Sequence, residues 1–251
     1  MARRRFFVPT VRRGAAELTG DDAEHLVRVL RAEAGQVYEI SDNQNVYLAR
    51  VTVARKSVVE FELLEQLAAE PESVRVTLLA ALIKFDKFEE MVEKATELGV
   101  SEIVPFHAAR TDHGLAKAAI KRHARWERIA LEASQQSRRA KLPEIQQTAR
   151  FADAIAAQAP LRVLLDENPE APPILTVLPE ELKPDAALLV GPEGGWTDEE
   201  RAQALAAGWT ACSLGKTVLR AETASIAALA VLRAWVASKL VPPNEAILIM
   251  K

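Results

Sequence analysis

The chain has 251 residues, 49% of them apolar, and a net charge of −3. That is enough to bury a core in one large or two modest domains, and it excludes both wholesale disorder and a polycation. A single cysteine, Cys212, excludes an internal disulfide framework and any multi-cysteine zinc site, and four scattered histidines offer no metal pair.

In chain order, residues 1–13 carry five arginines and no acid. No apolar run of signal-peptide length follows, because Pro9, Arg12 and Arg13 intervene. A helix is predicted over 20–33, with Thr19 and Asp22 resembling a capping box and His25, Leu26, Val29 and Leu30 forming its stripe. Strands are predicted at 36–41, 46–53 and 57–64, the second alternating cleanly. Residues 66–73, with Pro71, read as a linker. Residues 74–83 then form a nearly continuous apolar run, expected of a strand buried on both faces. A helix over 86–98 ends at Gly99, a strand spans 102–106, and one long helix spans 115–139. Buried strands at 161–165 and 186–190 flank a proline-rich excursion around a short apolar piece. A helix at 197–207 has Thr197 as N-cap and Glu200 completing a capping box. A strand at 210–214 precedes an apolar helix at 222–240, and 246–250 could add a strand. Arg220, Glu222 and Arg233 interrupt that last apolar stretch, so no segment offers the roughly 20 consecutive apolar residues of a membrane span. The alternation of strands and helices predicts a mostly parallel α/β sheet over 74–240, preceded by a small β-rich domain at 1–70. The expectation is a soluble, cytoplasmic protein of a reducing compartment.

Charge is unevenly spread. Residues 110–141 hold nine Lys/Arg against three acids, and 150–210 hold four bases against eleven acids. Two basic zones and one acidic zone suit a polyanion approached from one side. A solvated helix face over 116–139 would give the same local pattern.

Four stretches carry candidate chemistry. In Leu188–Asp198 a buried strand runs into Gly191-Pro192-Glu193-Gly194-Gly195 and then a capped helix. In open α/β sheets ligands bind beyond the carboxyl ends of strands, and glycines admit a ligand close to backbone amides. A tight strand-to-helix turn alone would also use these glycines. No P-loop or GxGxxG fingerprint is present, and the acids Glu193, Asp198, Glu199 and Glu200 favour an uncharged or cationic ligand over a phosphate. Leu214-Gly215 through Leu219-Arg220 is a second strand-to-helix bend, with Arg220 either recognising a planar acceptor or phosphate, or pairing with Glu222. The run 132–139 places four amide or hydroxyl side chains before Arg138 and Arg139, either to read RNA or simply to end a helix. The run 84–100 reads as an amphipathic helix with surface ion pairs.

Taken together, KFDKFEEMVEKATELGV (84–100), EASQQSRR (132–139), LLVGPEGGWTDEE (188–200) and LGKTVLRAETA (214–224) resemble the SPOUT class of methyltransferases. More narrowly they are similar to the bacterial 16S ribosomal RNA uridine-N3 methyltransferase family. Gln135 stands where that family usually has Glu, and Arg138 where it usually has Gly. The resemblance implies a PUA-like RNA-binding β-barrel at 1–70 and a SPOUT methyltransferase domain at 74–240 with a C-terminal trefoil knot. It implies S-adenosylmethionine bound by Leu165, Asp166, Gly191, Pro192, Glu193, Gly194, Gly195, Leu214, Gly215, Leu219 and Arg220. Arg220, Arg139, Glu193 and Glu222 are the implied catalytic candidates, with no metal. 16S ribosomal RNA within the small subunit would meet Arg3, Arg4, Arg5, Arg12, Arg13, Arg110, Arg138 and Arg139. The family is dimeric, and Ile226, Leu229 and Trp235 suit a subunit interface. The competing reading is a non-catalytic RNA-binding factor of ribosome assembly, which keeps the basic surfaces and lacks the cofactor.

Overall fold

The computed structural model describes residues 5–68, 72–168 and 170–240, which fall into two compact units. Arg3, Arg4 and the strand considered at 246–250 lie outside the described residues.

The first unit holds β1 (Arg5–Phe7), β2 (Val11–Arg12), β3 (Ala15–Thr19), α1 (Gly20–Arg28), β4 (Val37–Ser41), β5 (Val46–Arg55) and β6 (Val58–Leu67). Its sheet order is β1-β4-β5-β6-β3-β2, with β1 parallel to β4 and the other pairs antiparallel. Phe6, Leu18, Leu26, Ile40, Val51, Val59 and Phe61 form its core. The hydrogen-bonded path is open at β1 and β2, so the expected barrel is a six-stranded mixed sheet. α1 stops five residues early, where Arg31 turns to φ 53°, and Thr19 caps it without a side-chain bond.

Residues 131–142 group with this sheet. Ser41 Oγ donates to Ala140 O at 2.6 Å, and Leu142 N donates to Asn43 Oδ1 at 2.7 Å. Arg138 pairs with Glu39, whose other oxygen accepts from Arg5 Nη2 at 2.9 Å, and Arg5 Nη1 reaches Arg138 O at 2.6 Å. Arg138 itself has φ 57°, while Arg139 N bonds Ser134 O at 3.0 Å, the six-to-one closure of a helix end in which a left-handed residue is normally glycine.

The second unit contains β7 (Arg75–Ala81), α2 (Phe85–Glu97), β8 (Glu102–His107), α3 (Leu115–Ala119) and most of α4 (His123–Gln136). It continues with β9 (Glu144–Ile145), β10 (Ala149–Arg150), α5 (Phe151–Ile155), β11 (Leu161–Leu165), α6 (Ile174–Val177), β12 (Asp185–Val190), α7 (Asp198–Ala206), β13 (Thr210–Cys212) and α8 (Ala221–Leu240). The long helix expected over 115–139 is broken at 120–122. There Lys121 N and Arg122 N bond three residues back to Ala118 O and Ala119 O. Such tight turns end a helix, and like charges four apart at Lys117, Lys121 and Arg125 disfavour its continuation.

The seven strands are all parallel, in the order β10-β8-β7-β12-β11-β13 with β9 beside β8. Val76, Leu78 and Ala80 face one cluster with Phe88, Met91, Val92, Leu229 and Leu232. Leu79, Ala81, Leu164 and Leu189 face the other, with Phe106, Trp196 and Trp209. Burial on both faces explains the unbroken apolar runs of β7, β11 and β12.

The expected SPOUT-type sheet with a trefoil knot is corrected here. What the strand order supports is a small N-terminal mixed sheet followed by a larger parallel α/β sheet. That order records which strands are neighbours and indicates no threaded loop, and a rare topology needs more than motif likeness to support it.

α8 is long and apolar enough to cross a membrane by length and composition alone. One of its faces packs within this unit, with Ala228, Leu229, Leu232 and Val236 buried and contacts to α2 and β12. Leu229 is fully buried within this chain, so it is unavailable to a subunit interface, whereas Ile226 and Trp235 are half-buried. Arg233 on α8 donates to Leu98 O, Gly99 O and Val74 O, closing the end of α2 and the start of β7.

Candidate functional site

Parallel strands β12, β11 and β13 are consecutive in the sheet, with Leu164 beside Leu189 and Leu165 beside Cys212. Their carboxyl ends therefore emerge side by side, and the three following segments must meet. They enclose a cleft of about 360 Å³, within the range of small-molecule sites. Leu165, Asp166, Gly191, Pro192, Glu193, Gly194, Gly195, Leu214, Gly215, Leu219 and Arg220 all line it. So do Glu167, Val190, Trp196, Cys212, Thr217, Val218, Ala221 and Ala224, which the sequence reading did not single out as site residues.

Trp196 fixes the glycine bend. Its Nε1 donates to Leu165 O at 2.8 Å, and its ring stacks on Phe106 with centroids 6.2 Å apart and an interplanar angle of 5°. A Cβ on Gly191 would lie 2.9 Å from Cε2 of this ring, so the bend tolerates no side chain there. Gly195 has φ 70°. Arg110 Nη1 donates to Gly194 O at 2.9 Å, fastening the bend from outside. The capping box of α7 is complete, with Thr197 Oγ1 accepting from Glu200 N and Glu200 Oε2 accepting from Thr197 N, both at 3.1 Å. Glu200 Oε1 also accepts from Ala109 N at 2.7 Å.

The acids of the cleft differ in what they are free to do. Asp166, with a side chain 2% exposed, accepts from Arg201 Nε at 2.7 Å and Nη2 at 3.1 Å, and from Asn168 N at 3.1 Å. Its hydrogen bonds push the Arg201 guanidinium further up from its ordinary pKa. Glu193 is exposed and accepts from Lys84 N at 3.3 Å. The Cys212 thiol, buried beside Asp166, is pushed up to about 12, chiefly by desolvation. Such a thiol is inert as a nucleophile at neutral pH.

Arg220 is exposed on the cleft and has no side-chain partner among the described residues. Glu222 is 6% exposed and does not line the cleft; Lys87 feels its charge. The lining comes wholly from the larger unit, whereas Arg139 belongs to the segment 131–142, where its Nε donates to Lys141 O at 3.0 Å. Arg5 and Arg138 are held by Glu39, and Arg110 by the glycine bend, so these three cations are committed within the protein. Arg12 and Arg13 are exposed, with no ion pair among the described residues. No group of three or more metal-ligating side chains occurs among the described residues.

An RNA methyltransferase domain model matches residues 70–233, and an RNA methyltransferase PUA domain model matches 18–64. The chain is 34% identical over 227 residues to the ribosomal RNA small subunit methyltransferase E of Synechocystis, covering 88% of this chain and 73% of that protein. A ribosomal RNA small subunit methyltransferase E from Neisseria gonorrhoeae, solved bound to S-adenosylmethionine, superposes with a TM-score of 0.84 at 29% identity, over 93% of this chain and 98% of that one. A methyltransferase from Legionella pneumophila, solved with the cofactor S-adenosylmethionine, superposes with a TM-score of 0.85 at 29% identity, over 94% and 98%. These findings correct the placement in the SPOUT class: they point to the E-type ribosomal RNA methyltransferases and support their two-part architecture, with no knot indicated. A domain match across most of the chain, a relative above 30% identity and a cleft built from three adjacent strand ends agree, and the chain belongs to the ribosomal RNA small subunit methyltransferase E family.

Proposed function

We propose that this protein transfers a methyl group from S-adenosylmethionine to N3 of a uridine in 16S ribosomal RNA. The observation that carries the reading is the convergence of three strand ends on one cleft whose lining suits the cofactor. Leu165, Val190, Trp196, Leu214 and Leu219 supply apolar wall for an adenine, and the glycine bend brings backbone within reach of a ligand. Carboxylates suit a cationic ligand, and the acids facing the cleft outnumber its one free cation, Arg220, among the described residues. The bound cofactor supplies an electrophilic methyl on a sulfonium.

The chain's own residues position and stabilise. Uracil N3 lies on the pairing edge, so the target base must be unpaired or turned out of its helix to react. Arg220, uncommitted at the cleft, is assigned to stabilise charge spreading over the uracil oxygens as the N3 proton leaves. Glu193, exposed on the bend, is assigned to accept that proton. Buried Glu222 is assigned to support the start of α8, and Arg139 to clamp a phosphate. Aligned reactants alone lower such barriers by roughly 7–11 kcal/mol.

We assign RNA contact to the unit at 1–70, led by Arg12 and Arg13, and the reaction to the unit at 74–240. We further propose a metal-free homodimer in the cytoplasm, joined through the α8 face bearing half-buried Ile226 and Trp235. The deciding experiment is mass spectrometry of small-subunit RNA from cells lacking the protein. One base methyl should disappear and return on incubating that RNA or its subunit with the protein and S-adenosylmethionine. An unchanged methylation pattern overturns the reading and favours a non-catalytic assembly factor.

A further inference from the structure

The two adjacent acids after β11 divide their work. Asp166 is buried and its oxygens are consumed by Arg201 and Asn168 N. Glu167 lines the cleft with a side chain 41% exposed, and its only ionic neighbour among the described residues is Arg201 Nη2, at 3.9 Å. It makes no hydrogen bond among the described residues, so its acceptor sites face the cleft unspent.

The space it occupies is kept by the opposite wall. A Cβ on Gly195 would crowd Glu167 Oε1 directly, and Gly195 also holds a positive φ of 70°. The bend therefore both turns at Gly195 and leaves room there for a carboxylate from the neighbouring strand end. An acid beyond one parallel strand, beside a glycine bend beyond the adjacent strand, is the arrangement by which open α/β sheets take the sugar of a nucleoside: backbone approaches one side and a carboxylate accepts from the vicinal hydroxyls. A carboxylate has two oxygens to meet that pair of donors, and hydrogen bonds to a charged acceptor are the stronger kind.

We propose that Glu167 is a binding residue that accepts hydrogen bonds from the ribose diol of the cofactor, with Gly195 holding its place and Asp166 confined to anchoring Arg201. The proposal rests on the reading that S-adenosylmethionine occupies this cleft.

The test is calorimetric binding to the full-length protein and its Glu167→Gln variant. The probes are S-adenosylmethionine, 5′-methylthioadenosine and the 2′-deoxy analogue of the latter. 5′-Methylthioadenosine keeps the diol and lacks the amino-acid part. Expected is about a tenfold weakening of both ribose-bearing probes in the variant, with the preference for ribose over 2′-deoxyribose lost. Thermal melting of the variant should match the parent, because the side chain makes no hydrogen bond that folding would lose. Unchanged binding of both probes overturns the proposal. So does weakening confined to S-adenosylmethionine, which would place the carboxylate against the ammonium group instead. Failure of the parent protein to bind S-adenosylmethionine at all overturns the cofactor reading itself, a result distinct from any difference between parent and variant.

Discussion

Replacing Gly191 by alanine isolates one steric contact. Gly191 lies outside the left-handed region, so the new methyl brings no backbone strain. It would meet Trp196 Cε2 at 2.9 Å, Cδ2 at 3.2 Å and Cζ2 at 3.3 Å. The ring cannot swing aside cheaply, being buried, bonded to Leu165 O and stacked on Phe106. Overfilling a packed site costs about 1–3 kcal/mol. For a chain of this size that lowers the melting temperature by roughly 2–12 °C. Trp196→Phe alone leaves Leu165 O unpaired, a loss of about 1–3 kcal/mol. Combined, the two changes should cost at least about 0.5 kcal/mol less than their sum, because the smaller ring admits the methyl. Equilibrium urea unfolding of the four proteins measures this, and calorimetry should show weaker cofactor binding in Gly191→Ala. A Gly191→Ala protein as stable as the parent, or strict additivity, would refute the claim that Trp196 shapes the bend.

Three further outcomes follow from particular contacts. Arg138→Ala keeps the left-handed conformation and loses the Glu39 pair, whereas Arg138→Gly loses the pair but relieves the strain; urea unfolding should therefore find the glycine variant more stable than the alanine variant by about 1 kcal/mol. Arg233→Met strips the cationic donor from three carbonyls and should cost about 2–4 kcal/mol in the same assay, with equal stability counting against the capping role. For Cys212, the folded thiol's pKa lies above its unfolded value of 9.0, so its contribution is complete below about pH 9 and is lost as pH rises toward 12. Cys212→Ala should flatten that alkaline loss, and an alkylating reagent at pH 8 should label the native parent only as fast as it opens.

How much was legible in the sequence varies with the range of the interaction. The α7 capping box spans three residues and was readable in full, as were the apolar runs of β7, β11 and β12, because burial on both faces leaves its mark on every position. The break at 120–122 was not, since the apolar spacing of Ala119, Trp126 and Ala130 continues across it while like charges and short turns decide otherwise. The partners of the cations were hidden for a different reason. Arg5, Arg110 and Arg138 count toward a basic surface in any tally, but their partners lie 34, 84 and 99 residues away, beyond any local pattern. The same holds for Asp166, spent on Arg201 thirty-five positions on, and it is why the uncommitted Glu167 beside it went unnoticed. Gln135 replaces an expected acid; its side-chain amide is buried without a partner among the described residues, and nothing in the structure explains the exchange.

The final helix has its beginning at the cleft, through Ala221 and Ala224, and is pinned about 18 Å further along its axis where Arg233 grips the carbonyls beneath the sheet. A rod fixed at such a fulcrum cannot slide lengthwise without tearing several bonds at once. Whatever adjustment a ligand demands on entry must then be absorbed upstream, in the short exposed stretch from Gly215 to Val218, and the helix will transmit tilt but not travel.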